Sequence, residues 1–196
     1  MTQQEKLLQL KQLADDATIL RQAVVEQLGN QILDTANLIS GVLGAGGKLL
    51  LAGNGGLAAG ASHWAAEMVV RLTSERNRQS LPAIALCVDP SVMTAAANDY
   101  GFENMFARQV EGLGNKGDML VVMSTSGNSP NLVRAAQVAR KMGLITIALL
   151  GGTGGKLGKS VERSLIIPHP STQRIQEEHL FIMHILVELV EKDLCA

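Results

Sequence analysis

His63 and Glu67 stand four residues apart in a run that is otherwise apolar: Ala61, Trp64, Ala65, Ala66, Met68, Val69 and Val70. If that run is helical, the spacing puts the imidazole and the carboxylate on one face. A second imidazole comes from the C-terminal stretch, where His184 is the one ionisable group in the run Leu180 to Val187. Gln176 lies two helical turns before it, roughly on the same side. His63, Glu67, Gln176 and His184 together offer two ring nitrogens, a carboxylate and an amide oxygen. That set suits a divalent metal such as zinc. It suits equally a carboxylate base and an imidazole acid working without a metal. Taken separately, the first pair reads as a surface ion pair and His184 as a satisfied, deeply buried core residue. His179, nearer the polar end, reads as a surface or hydrogen-bonding residue.

A second chemistry sits in the loops. The apolar run Met119 to Met123 breaks into Ser124-Thr125-Ser126-Gly127-Asn128-Ser129, and the chain restarts at Pro130 as a helix to about Met142. Ser129 occupies an N-cap position and Pro130 the first helical position. A helix N-terminus presents free N–H groups and a positive dipole end, so this hydroxyl-rich loop reads as a phosphate cradle. Gly53-Asn54-Gly55-Gly56 follows another short apolar run, Lys48 to Ala52, and opens a helix over about 57–72. It lacks both the Gly-Lys-Ser/Thr ending of a P-loop and the Gly-x-Gly-x-x-Gly dinucleotide spacing.

These residues need a frame, and the periodicity supplies one. Residues 4–44 read as two helices. Apolar strands are expected at 48–52, 81–88, 118–123, 144–149 and 165–168. Helices are expected from Asp89-Pro90-Ser91 to about Asn98, over 102–113 and over 172–192, with Gly151 to Gly155 a flexible loop. Five such strands alternating with helices imply an α/β fold with a parallel sheet covered on both faces. Ligands of such sheets bind beyond the carboxyl ends of the strands, where both loops fall.

Composition narrows the classes. The 196 residues suit one domain over 1–196, and 46% hydrophobic against 18% charged residues describes a globular chain. With 3% aromatic residues and a net charge of −1, neither a base-stacking platform nor a basic nucleic-acid or membrane surface is indicated. Two cysteines point to a reducing compartment. No signal peptide is evident, and no apolar run approaches the ~20 residues that span a bilayer. A cytoplasmic protein is the expectation.

Gly53-Asn54-Gly55-Gly56, His63-x-x-x-Glu67, Ala97-Asn98-Asp99-Tyr100-Gly101, the Ser124–Ser129 loop and Arg174-Ile175-Gln176-Glu177 occur in one order. Together they resemble the sugar isomerase (SIS) domain family, and within it the phosphoheptose isomerases. The resemblance implies a flavodoxin-like SIS fold with an N-terminal helical prelude, and a homotetramer with sites at subunit interfaces. It implies conversion of sedoheptulose 7-phosphate to D-glycero-D-manno-heptose 7-phosphate through an enediol, toward ADP-heptose. By resemblance, Glu67 and His184 are catalytic. His63, Glu67, Gln176 and His184 hold one zinc per subunit. The sugar phosphate meets Asn54, Gly55, Gly56, Asn98, Asp99, Ser124, Thr125, Ser126, Ser129 and Gln176. The chain departs from the pattern at Leu57, where many relatives carry a serine able to reach the phosphate. The alternatives within the family are a non-catalytic tetrameric scaffold that binds the bacterial replication initiator, and a sugar-phosphate sensor. The scaffold branch lacks the acid and histidine found here at Glu67 and His184.

Overall fold

The structure, a computed structural model, describes residues 1–195. In chain order the elements are α1 (Gln3–Gly44), β1 (Leu49–Gly53), α2 (Gly56–Val69), β2 (Ala83–Ala85), α3 (Pro90–Tyr100), α4 (Met105–Leu113), β3 (Met119–Ser124), α5 (Pro130–Lys141), β4 (Ile145–Gly151), β5 (Arg163–Ile167) and α6 (Thr172–Leu194). The five strands are parallel in the order β2-β1-β3-β4-β5.

Side chains of a strand alternate between the two sheet faces. Leu49, Leu51, Met119, Val121, Ile147 and Leu149 accordingly pack with α1, α2 and α6. Leu50, Leu120, Val122, Ala148 and Leu150 pack with α3, α4 and α5. Asp118 pins the entry to the central strands. Its carboxylate accepts the backbone N–H of Lys48 (3.0 Å) and of Asn115 (2.8 Å) and pairs with the Lys48 ammonium. Burial pushes this carboxyl up, but those donors outweigh it and hold it below the usual carboxylate range.

Three expectations are corrected. Residues 4–44 are one 42-residue helix, not two. Its interior holds Gly29 and Gly41 but no proline, and each glycine costs only about 1 kcal/mol, too little to break a helix packed along α6. The expected strand at 81–88 shrinks to three residues, because it is an edge strand paired only with β1 and Pro82 has no N–H to give. The helix expected to end at about Asn98 runs on through Asp99 and Tyr100 as α3, which Asp89 caps by accepting from Ser91 N (2.8 Å) and Val92 N (3.1 Å).

The strand order reverses between β1 and β3, and such a switch point opens a crevice at the carboxyl ends. Asn54-Gly55-Gly56 leaves β1 there and Thr125–Ser129 leaves β3 there. Gly53 is required at this point: a Cβ on it would lie 2.4 Å from the Leu57 carbonyl oxygen.

Candidate active site

Helix α2 carries His63 and Glu67 one turn apart, and α6 lies against α2. His63 Nε2 is 3.0 Å from Glu67 Oε1 and 3.3 Å from His184 Nε2. The two imidazole rings meet edge to face, with centroids 5.1 Å apart. One potential ligand atom from each of His63, Glu67 and His184 falls within 4.8 Å of the others. Two helices distant in sequence are thus brought to one point.

The hydrogen bonding at that point is incomplete. One ring hydrogen on His63 Nε2 points in one direction and cannot serve Glu67 and His184 well at once. Glu67 Oε2 is buried with no partner at all. An ionised carboxylate oxygen left without a donor is unfavourable by a few kcal/mol, and a proton or a cation relieves it. Two imidazole nitrogens and a carboxylate are also the donor set that zinc and related divalent ions accept. The residues therefore fit a metal.

His184 is half-buried, not deeply buried as expected. Burial, then the neighbouring His63, pulls its pKa below the ordinary value, and Glu67 opposes them. It is consequently neutral near pH 7 and able to accept a proton. Of the two expectations for His179, a surface or a hydrogen-bonding residue, the second holds. It is 1% exposed and bonds through Nε2 to the Leu150 carbonyl at 3.0 Å, which fixes the hydrogen on Nε2. Burial pulls its pKa down to about 4, against a small upward pull from that carbonyl.

A histidine whose folded pKa lies below its unfolded value takes up a proton on unfolding, so its penalty appears as pH falls from 6.5 toward 4. Denaturant titrations at pH 7.5 and 4.5 are expected to show a loss of about 2–3 kcal/mol from His179. His179→Asn should flatten that part of the slope.

Gln176 lines the same hollow as His63, one of about 220 Å³ shared with His179, Leu57 and Met123, and its amide sits over Gly56. Gln176 and His184 are two turns apart, about 12 Å along α6. Leu57 is buried and forms an apolar part of this wall. Met123, which lines the hollow, is the β3 residue immediately before Ser124.

That loop is tightly ordered. Ser124 Oγ is buried, accepts Gly127 N–H at 3.1 Å and lies 3.3 Å from Ser129 Oγ. Ser126 Oγ accepts Asn128 N–H at 3.2 Å and is exposed, and Thr125 is half-buried. Ser129 holds the N-cap position, yet its hydroxyl makes no capping bond and meets Ser124 Oγ. Pro130 has no N–H and Leu132 N–H is taken by Asn131 Oδ1 at 3.0 Å, so the Asn131 N–H is the first-turn donor of α5 that remains for an anion.

Two supports were missed in the sequence. Asn131 and Asn54 form a reciprocal pair (3.0 and 2.8 Å) that ties the two loops together. The segment Gly151 to Gly155 buttresses the serine loop and is not a slack connection: Leu157 N–H donates to Gly127 O at 2.9 Å and Lys156 N–H to Asn128 Oδ1 at 3.1 Å. The one available signal was the run of four glycines there. Gly55 is exposed with φ +56°. Asn98 and Asp99 are exposed and bond to each other, Asn98 Nδ2 donating to Asp99 Oδ1 at 2.8 Å.

Comparison with known proteins decides the family. The model of the SIS domain matches residues 12–151. This chain belongs to the SIS domain family. Among proteins similar to this SIS-domain chain is a phosphoheptose isomerase of Chlorobaculum parvum, 49% identical over 173 residues, which cover 88% of this chain and 83% of that one. One of Aquifex aeolicus is 46% identical over 186 residues, 95% and 96% of the two chains. The solved structure of phosphoheptose isomerase GmhA from Neisseria gonorrhoeae superposes with a TM-score of 0.88 at 37% identity, covering 97% of this chain and all of that one. No helix among the described residues is long and apolar enough to cross a membrane.

Proposed function

We propose that this chain is an aldose–ketose isomerase that converts sedoheptulose 7-phosphate to D-glycero-D-manno-heptose 7-phosphate, a precursor of ADP-heptose. The observation that carries the reading is the Glu67 carboxylate grouped with His63 and His184, where His63 also lines a hollow with Gln176, in a sheet whose carboxyl edge carries the hydroxyl-rich serine loop. The phosphoheptose isomerases to which the chain is similar support the substrate.

Ser124, Thr125, Ser126 and Ser129, with the N-terminus of α5, hold the phosphate and so fix the sugar. Asn54, Gly55, Gly56 and Gln176 line the path, and Asn98 and Asp99 reach the sugar at the same sheet edge. Glu67 takes a proton from C1, beside the C2 carbonyl, which leaves an enediol. The proton returned to C2 leaves the carbonyl at C1. His184, neutral in its resting state, carries the proton between the two oxygens. His63, Glu67, Gln176 and His184 would hold zinc, one per subunit, and the ion when bound supplies Lewis-acid polarisation of the substrate carbonyl. Leu57 removes one hydroxyl from the phosphate end, and a charged hydrogen bond there is worth about 1.5–3 kcal/mol, so sugar-phosphate affinity rests on the loop alone.

The reading includes one SIS domain over residues 1–196, a cytoplasmic location and a homotetramer. Support for assembly lies in α1, where Leu7, Leu8, Leu10 and Leu13 stand 43–63% exposed before its first buried residue, Leu20. Such a leucine row on one helix suits burial against further copies, and light scattering checks the mass. The test of the function is appearance of the aldose from sedoheptulose 7-phosphate, followed by NMR.

A further inference from the structure

Arg78 is a buried cation in the irregular segment between α2 and β2, outside the His63, Glu67 and His184 cluster. Its side chain is 1% exposed, and so nearly is that of its partner Glu191, at 2%. Nε donates to Glu191 Oε1 at 2.7 Å. Nη1 donates to the carbonyls of Met68 and Gln79, both at 2.8 Å, and Nη2 to the carbonyl of Glu67 at 2.7 Å. Glu191 Oε1 also accepts Leu72 N–H at 3.1 Å, and Arg76 Nε stands 4.0 Å from Oε2.

The last carbonyls of a helix have no partner within it, and a cation is favoured at that end. Arg78 meets both needs for α2, and one of the carbonyls it holds is that of Glu67 itself. Glu191 lies on α6, seven residues beyond His184. Seven residues make nearly two whole turns, so the two share a face about 10 Å apart along the axis. A single planar guanidinium therefore ties the backbone of Glu67 to the helix that presents His184.

We infer that the Arg78–Glu191 pair is a positioning clamp for the reaction, setting the distance and phase between Glu67 on α2 and His184 on α6. The inference rests on the proposed isomerase reading, in which both side chains act on one substrate. A displacement of about 1 Å in such a constellation can cost a hundredfold in rate. The serine loop is held by other contacts, those of Asn54, Asn131, Leu157 and Lys156, so phosphate capture is independent of the clamp.

The test uses Arg78→Lys, which keeps the charge but cannot fork to three acceptors, and Glu191→Gln, which keeps the shape but not the charge. In both, kcat is expected to fall about tenfold to a hundredfold, with KM for the sugar phosphate within about threefold of wild type and a cooperative melt retained. A lower melting temperature with kcat per folded molecule unchanged overturns the inference and leaves the pair purely structural. If wild type itself does not convert sedoheptulose 7-phosphate, the functional reading fails. Amide hydrogen exchange then decides the clamp. Exchange about tenfold faster at 63–69 in Arg78→Lys, with 124–131 unchanged, upholds it. Exchange altered equally in both regions, or in neither, overturns it.

Discussion

Replacing Glu67 with Gln is expected to lower kcat by about a thousandfold or more, while KM for the sugar phosphate stays within about threefold. The amide keeps the size of the side chain and loses its basicity, and positioned general bases contribute about a hundredfold to ten-thousandfold. The position stays favourable for folding, because Glu67 Oε2 has no hydrogen bond to lose and Oε1 has only the His63 contact. Gln also weakens any metal held with His63 and His184, since an amide is a poorer ligand than a carboxylate for zinc. Steady-state kinetics with a melting curve separates these effects. A variant that folds and retains wild-type kcat removes Glu67 from the chemistry.

Gly127→Ala is expected to act on the opposite term, raising KM about a hundredfold with kcat within about fivefold. Gly127 has φ +64°, and a Cβ there would stand 2.0 Å from the Gly154 carbonyl oxygen. The backbone of Gly154 cannot give by that much, so the serine loop has to move. Movement breaks the Gly127 N–H bond to Ser124 Oγ and the Leu157 N–H bond to Gly127 O. Loss of two charged hydrogen bonds to phosphate at about 1.5–3 kcal/mol each corresponds to a hundredfold or more in affinity. Titration with inorganic phosphate gives the same answer without turnover. An unchanged KM in a folded variant shows that the loop does not bear the phosphate.

The layered sheet was legible because the strands are continuous apolar runs punctuated by glycine. Those runs have no other home than between two helical layers. The two loops were legible for the same reason: strand, then Gly or Ser, then helix leaves them at the carboxyl edge. The His63–Glu67 pair was visible from its spacing alone, whereas its meeting with His184 was visible only through family resemblance. Nothing in local periodicity says that α2 and α6 touch. The same limit hid Asn131 and Arg78, whose partners lie 77 and 113 residues away. For His179 the sequence left a surface and a hydrogen-bonding role open, because polarity near the start of a helix suggests solvent. In the fold that turn lies over β4, where the Leu150 carbonyl gives the imidazole a buried partner. The single α1 helix was missed because a glycine and two aspartates look like a break, and packing against α6 outweighs them.

The central claim is that Glu67 and His184, brought together by α2 and α6, isomerise a heptose phosphate. The most direct measurement is proton NMR of sedoheptulose 7-phosphate incubated with the protein, before and after treatment with a metal chelator. Aldose anomeric signals are expected to grow with the untreated protein, more slowly after chelation, and at the original rate once zinc is added. No conversion under any of these conditions, with the protein folded, would contradict that claim.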